Sequence, residues 1–187
     1  MNAQFAGIAK EEFQFLEGLG FYLACAEPHY LRYESRDAVV ILTLDVLSGE
    51  LEAYVGLRSE AGKPGGSYSL TDVNGMQGLD GYAGPLQISD DSQLKHVVEL
   101  LAIDLRDHAM LALQGDRSFF RQLESYVNSK SEMFTKGLQI SAIRSNAEQA
   151  WRKRDYAAVA ELYTLIVDCL SEVERHKLEY ARRYIRD

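Results

Sequence analysis

The sequence predicts an α+β fold: an N-terminal helix on a three- to five-stranded antiparallel meander, followed by an all-helical C-terminal half ending in a helical hairpin and a last helix. Three observations predict it. The stretch Tyr30–Arg58, YLRYESRDAVVILTLDVLSGELEAYVGLR, alternates apolar and polar residues through three runs separated by turn-forming pairs. All three prolines and twelve of the fourteen glycines lie within the first 85 residues, so chain breakers crowd the first half. From residue 89 onward, apolar residues recur at helical spacing behind recognisable capping residues. This divides the chain into a meander part, 1–88, and a helical region, 89–187, packed on it as one compact unit.

Residues 3–17 read as a helix. Phe5, Ile8, Phe15 and Leu19, with Phe13 and Leu16 alongside, form its apolar side, and Gly18 and Gly20 stop it. Phe21–Ala26 reads as a further strand before Pro28.

The last two meander strands join at Ser48-Gly49. A two-residue loop there pairs Val46 with Leu51, Leu44 with Ala53, Leu42 with Val55 and Val40 with Leu57. With Arg36-Asp37 as the first turn, Tyr33 faces Val40 and Leu31 faces Leu42, so one face of the sheet is apolar throughout. The other face shows Tyr30, Arg32, Glu34, Thr43, Asp45, Glu52 and Tyr54. Asp45 then stands opposite Glu52, a mildly destabilising like-charge pair. The pair reads either as a surface that receives a basic group or as a solvated face relieved by Arg32 or water. Tyr30, Arg32, Asp45, Glu52 and Tyr54 are the candidate partner-binding residues.

Two glycine-rich segments follow. Glu60–Ser67, EAGKPGGS, holds a lysine among glycines but lacks the GxxxxGK[ST] order, so it reads as a hairpin loop rather than a phosphate cradle. Asn74–Pro85, NGMQGLDGYAGP, reads as an irregular crossover from sheet to helices.

A helix is expected from Asp90, with Gln93 completing a capping-box variant, through Leu113. Leu94, Val97, Leu101, Leu105, His108 and Ala112 form its buried stripe. Asp104 and His108, spaced i, i+4, share a face and are the weak candidate metal pair. Two ligands do not make a site, no HExxH occurs, and the alternative is a histidine oriented by a carboxylate at the edge of the core.

Gly115 ends that helix and Asp116 caps the next, whose apolar positions are Phe119, Phe120, Leu123, Tyr126 and Val127. Met133, Phe134 and Leu138 follow, and Gly137–Ile140 is expected to turn the chain. Ser141–Arg152 is then one arm of a helical hairpin with Ile143, Ala147, Ala150 and Trp151 inside. Arg154-Asp155-Tyr156 is its bend, and Tyr156–Leu170 the returning arm. Ser171-x-x-Glu174 reads as a capping box opening a last helix that buries Val173, Leu178, Ala181 and Tyr184. A single unbroken helix from Tyr156 to Ile185 fits the same residues, since no glycine or proline intervenes.

The net charge is −8, unevenly placed. Residues 1–143 carry 11 basic and 20 acidic side chains, and residues 144–187 carry 9 and 8. An acidic surface disfavours nucleic-acid binding and permits a basic protein partner. No apolar run approaches the roughly 18–20 residues that span a bilayer, and the opening MNAQFAGIAKEEF lacks the pattern of a secretory signal. Free buried thiols at Cys25 and Cys169 in a cytoplasmic protein are the expectation. Neither a G-x-S-x-G elbow nor a cysteine with a histidine nearby in sequence marks a nucleophile.

The stretch AEQAWRKRDYAAVAELY, Ala147–Tyr163, resembles a single tetratricopeptide unit, with Trp151, Asp155-Tyr156, Ala160 and Tyr163 near the repeat's positions. Arg154 stands where the repeat has glycine and no proline closes the unit. Solenoids need about three copies, so groove binding of peptides is not implied. Taken together, FQFLEGLGF, the meander, YSLTDV, GDRSFF, AWRKRDYAAVAELY and VERHKLEYARR resemble, in the same order, a family of small uncharacterised bacterial cytoplasmic proteins. That resemblance implies the fold order and the break near Ser171, and no site. Small acidic α+β chains of this kind also resemble, as a class, immunity proteins of bacterial toxin systems.

The reading that follows is a non-enzymatic interaction or adaptor protein of the bacterial cytoplasm, with an unidentified and basic protein partner, no cofactor, and self-association left open. A toxin-neutralising immunity protein and a small-molecule or metal-binding protein are the alternatives.

Overall fold

The computed structural model describes residues 2–58, 66–79, 86–88 and 91–185. The chain divides into two compact units, Met1–Val127 and Asn128–Asp187.

In the first unit, α1 (Asn2–Glu12) and the single turn α2 (Phe15–Gly18) precede β1 (Tyr22–Glu27), β2 (Tyr30–Glu34), β3 (Ala38–Leu44), β4 (Glu50–Leu57) and β5 (Ser67–Ser69). Then come α3 (Leu70–Met76), β6 (Leu86–Gln87), α4 (Asp91–His108), α5 (Met110–Leu113) and the start of α6 (Arg117–Arg152). The strands form one antiparallel sheet in the order β1-β2-β3-β4-β5, with β6 pairing the first residues of β4. The expected glycine-rich loop from Glu60 and the latter part of the crossover to Pro85 lie outside the described residues, as does the Asp90 cap. Asn74–Met76 of that crossover close α3, which Ser69 caps by accepting the Asp72 N–H at 3.1 Å.

The first helix is broken where the sequence predicts continuity. Phe13 N–H still reaches the Ala9 carbonyl, but Leu16 N–H bonds to Phe13, tightening the chain into a separate turn. The break lets Phe5, Ala9, Phe13 and Leu16 all reach full burial, while Leu19 stays 40% exposed.

Across β2 and β3, Tyr33 faces Val40 and Leu31 faces Leu42, as the turn at Arg36-Asp37 predicts. The β3–β4 register is displaced by two residues from the one expected. Leu44 faces Leu51, Leu42 faces Ala53, Val40 faces Val55 and Ala38 faces Leu57. Asp45–Gly49 is therefore a five-residue connection rather than a two-residue one. Asp45 Oδ1 accepts the N–H groups of Leu47 (2.8 Å) and Ser48 (3.3 Å), and Gly49 N–H bonds to the Asp45 carbonyl. A slip of two preserves the side-chain faces, so the apolar face stays apolar. Val46 and Leu47, by contrast, leave the sheet and are exposed.

One core covers that face. Leu31, Val40, Leu42, Leu51, Ala53 and Val55 meet Phe5, Phe13 and Leu16 from the N-terminal helices and Leu94, Val98, Leu101 and Leu105 from α4. Each large side chain so buried stabilises the fold by about 1.5–3 kcal/mol. The helix expected to run to Leu113 ends at His108, and Ala109, buried, starts the short α5. Gly115 then adopts φ +69° and Asp116 Oδ1 caps α6 through the N–H groups of Ser118 and Phe119.

The expected turn at Gly137–Ile140 does not form. α6 runs unbroken for 36 residues from Arg117 to Arg152, since one interior glycine costs a helix only about 1 kcal/mol.

In the second unit, the last turns of α6 pack with α7 (Tyr156–Leu165) and α8 (Glu172–Tyr184) around Ala147, Val159, Tyr163, Ile166, Leu170 and Leu178. Arg154, at φ 61°, makes the bend, and Asp155 caps α7 by accepting the Ala158 N–H at 3.1 Å. Between α7 and α8 the chain passes through one 3₁₀ turn, Val167–Cys169, and an extended Leu170. Of the two arrangements the sequence allows, the broken one forms. Ser171 and Glu174 complete a reciprocal capping box. Two residues expected inside α8 are outside: Val173 is 65% and Tyr184 62% exposed. The thirteen-residue helix turns Leu178 and Ala181 inward, and one narrow stripe does not reach Val173 or Tyr184.

Candidate functional site

Strand alternation sends Tyr30, Arg32 and Glu34 of β2, Ile41 and Thr43 of β3, and Glu50, Glu52 and Tyr54 of β4 to the sheet face away from the core, all of them half-buried. Tyr30, Thr43 and Glu52 share one cross-strand row, and Arg32, Ile41 and Tyr54 the next. The face is electrostatically uneven. At one end Glu34 is met by Arg32 at 2.9 Å, by Arg58 at 3.4 Å and by the Tyr22 hydroxyl at 3.1 Å. Toward the other end Glu50 and Glu52 have no cationic partner among the described residues. Glu52 instead accepts the Tyr54 hydroxyl at 2.5 Å. That bond, aided by partial burial, pushes the Tyr54 phenol up to about 12.

Four of the five candidate partner residues, Tyr30, Arg32, Glu52 and Tyr54, thus lie together. Asp45 does not join them. It sits in the β3–β4 connection, where the N–H of Leu47 and then that of Ser48 hold its carboxyl below the usual range. Glu52 faces Thr43, so the expected Asp45–Glu52 repulsion does not exist. The five-residue connection, which moved the register by two, is the cause.

Asp104 and His108 meet along α4. Asp104 is buried; its Oδ1 lies 2.6 Å from His108 Nδ1 and its Oδ2 accepts Asn74 Nδ2 at 2.8 Å. Asn74, on α3, is 1% exposed and its Oδ1 has no hydrogen-bond partner among the described residues. Gln77 Nε2 donates to the His108 carbonyl at 2.7 Å. The carboxylate therefore ties α3 to α4 and orients an imidazole that borders a cleft of about 410 Å³, which Met76, Gln77, Asp107 and Phe119 also line. Among the described residues no third histidine, cysteine or carboxylate joins the pair as a metal ligand set. Asn74 lies thirty positions from Asp104 and carries no sequence signal linking it to the pair.

The second unit carries a surface assembled from three helices. Trp151, Tyr156, Tyr180 and Tyr184 form a continuous aromatic cluster with ring centroids 4.5–6.3 Å apart. Lys177 lies 5.4 Å over the Trp151 ring and pairs with Glu148 at 2.5 Å, which holds the Glu148 carboxyl below its ordinary value. Tyr180 and Tyr184 are at least half exposed. Their i, i+4 spacing is the one signal that pairs them. Cys25 and Cys169 are unpaired, but neither is buried as expected: Cys25 is half-buried on the edge strand and Cys169 is exposed.

No helix among the described residues is long and apolar enough to cross a membrane. No protein-family model, curated protein or solved structure matches the chain.

Proposed function

We propose that this chain is a non-enzymatic interaction or adaptor protein whose first unit presents the outer sheet face to a basic group on a protein partner. One observation carries the reading. The core lies on one side of the sheet, while the other side keeps Tyr30, Thr43 and Tyr54 half-buried beside two carboxylates, Glu50 and Glu52, with no cation among the described residues to neutralise them. A lysine or arginine docking there replaces a repulsive neighbourhood with charge-assisted hydrogen bonds, and the flanking tyrosines supply rigid contact area.

The aromatic cluster of the second unit supports the same class of function. Trp, Tyr and Arg are the side chains that dominate binding energy at interfaces, and here Tyr180 and Tyr184 stand exposed. The two unpaired cysteines, one exposed, support a cytoplasmic setting.

The test is capture by the full chain, with Glu50→Gln/Glu52→Gln and Tyr180→Ala/Tyr184→Ala as separate double variants. A basic protein retained by the wild type, weakened by added salt and lost with the glutamine pair supports the sheet-face reading. Retention unchanged in that variant sinks it, and loss only in the tyrosine variant moves the site to the second unit.

A further inference from the structure

We infer that the cleft between the end of β4, β5 and the first turns of α6 binds a small organic anion, a carboxylate or phosphate monoester attached to a flat apolar body. This goes beyond the sheet-face reading and uses different residues. The cleft holds about 590 Å³, within the range of small-molecule sites.

Arg117 and Arg121, one helical turn apart on α6, both line it. Like charges at i, i+4 repel, and among the described residues neither guanidinium has an ion-pair partner. Glu124 also lines the cleft, three residues past Arg121, yet makes no ion pair with it. In an acid-rich chain, two unpaired arginines lining one cavity are an anion-recognition pair. Their planar forks suit carboxylate and phosphate oxygens bidentately.

The rest of the wall sets what the anion is attached to. Phe120 and Tyr68 form an aromatic side, their ring centroids 6.1 Å apart, and Leu57 extends it. Burial, with the Glu124 charge adding, raises the Tyr68 phenol, so its hydroxyl remains a donor at neutral pH. Glu124 disfavours a second negative charge at its side of the cleft and accepts a hydroxyl or amine on the ligand. Two donors at one side, an aromatic wall and one carboxylate describe an anionic head on a ring, not a bare ion and not a polyanion.

The experiment uses the full chain with phenyl phosphate as the probe, and inorganic phosphate and benzyl alcohol as the head and body alone, followed by amide chemical-shift titration. Phenyl phosphate saturates, shifts resonances around Tyr68 and Arg117–Glu124, and binds roughly tenfold or more tighter than either control. Arg117→Gln/Arg121→Gln abolishes this, while Glu50→Gln/Glu52→Gln leaves it intact. Should the double variant lose its fold by circular dichroism, Arg117→Gln alone, at an exposed position, carries the comparison. Equal binding of inorganic phosphate, or wild-type affinity in a folded arginine variant, overturns the inference.

Discussion

Asp45 Oδ1 accepts the backbone N–H of Leu47 at 2.8 Å, and the same oxygen takes the N–H of Ser48 at 3.3 Å. A single exposed carboxylate thereby shapes the connection between β3 and β4. Asp45→Ala is expected to lower the thermal midpoint of the first unit, whereas Asp45→Asn, which keeps an acceptor, stays close to wild type. Its folded-state carboxyl is depressed by the Leu47 N–H and then the Ser48 N–H. The contribution is therefore present at neutral pH and fades as pH falls through that depressed value. Thermal melts at neutral and acid pH check both points: the wild type and Asp45→Ala converge in acid.

Gly49 is pinned by conformation and by contact. Its φ is +72°, and a Cβ there would lie 2.6 Å from the Ile88 carbonyl oxygen, while Ile88 N–H donates to the Gly49 carbonyl. Gly49→Ala is expected to cost about 1–3 kcal/mol and to raise hydrogen exchange at Ile88, measured by urea unfolding and amide exchange.

Tyr33 is 3% exposed and its hydroxyl has no hydrogen-bond partner among the described residues. Burial, and secondarily the charge of Glu17, pushes its phenol up to about 12. A raised folded-state value means its contribution is whole below about pH 10 and is lost as pH rises from there toward 12. Tyr33→Phe removes an unsatisfied polar group, so it is expected to raise stability at neutral pH by about 1 kcal/mol and to flatten the alkaline decline. Urea midpoints between about pH 8 and pH 12 read both effects.

Asp104 holds His108 and Asn74 from a buried position. Asp104→Ala strands the buried Asn74 amide and is expected to cost about 2–4 kcal/mol. Asp104→Asn, retaining an acceptor for Asn74, falls between the two. A cost below about 1 kcal/mol for the alanine variant would show that the tie between α3 and α4 contributes little.

Ser171 and Glu174 cap α8 reciprocally. Ser171→Ala is expected to destabilise the second unit by about 1 kcal/mol, read by near-ultraviolet circular dichroism of the Trp151–Tyr184 cluster while the first unit keeps its melting point.

The faces of the meander were legible because a period of two survives any even slip of register: Val40, Leu42 and Leu44 point inward whether Leu44 faces Ala53 or Leu51. The β2–β3 register was legible from the Arg36-Asp37 turn, but the β3–β4 register was not, because a carboxylate binding its own turn and a contact to Ile88 chose the loop length. Helix starts with local chemistry were readable, as at Asp116 and Ser171. The continuity of α6 through Gly137 was not, since a weak breaker loses to a long hydrogen-bonded helix. Of the candidate residues, Arg32, Glu52 and Tyr54 share a face by alternation alone.

What the sequence by itself determined is the coarse order of a helix, a meander and a helical half, the apolar side of the sheet and the caps at Asp116 and Ser171, all set by residues within a few positions of one another. Only the tertiary structure decided which carboxylates lack a cation, that Asn74 reaches Asp104, that Tyr184 stays outside, and that Arg117 and Arg121 share a cleft with Tyr68. Those facts depend on distances between residues far apart in the chain, and such distances are set by packing.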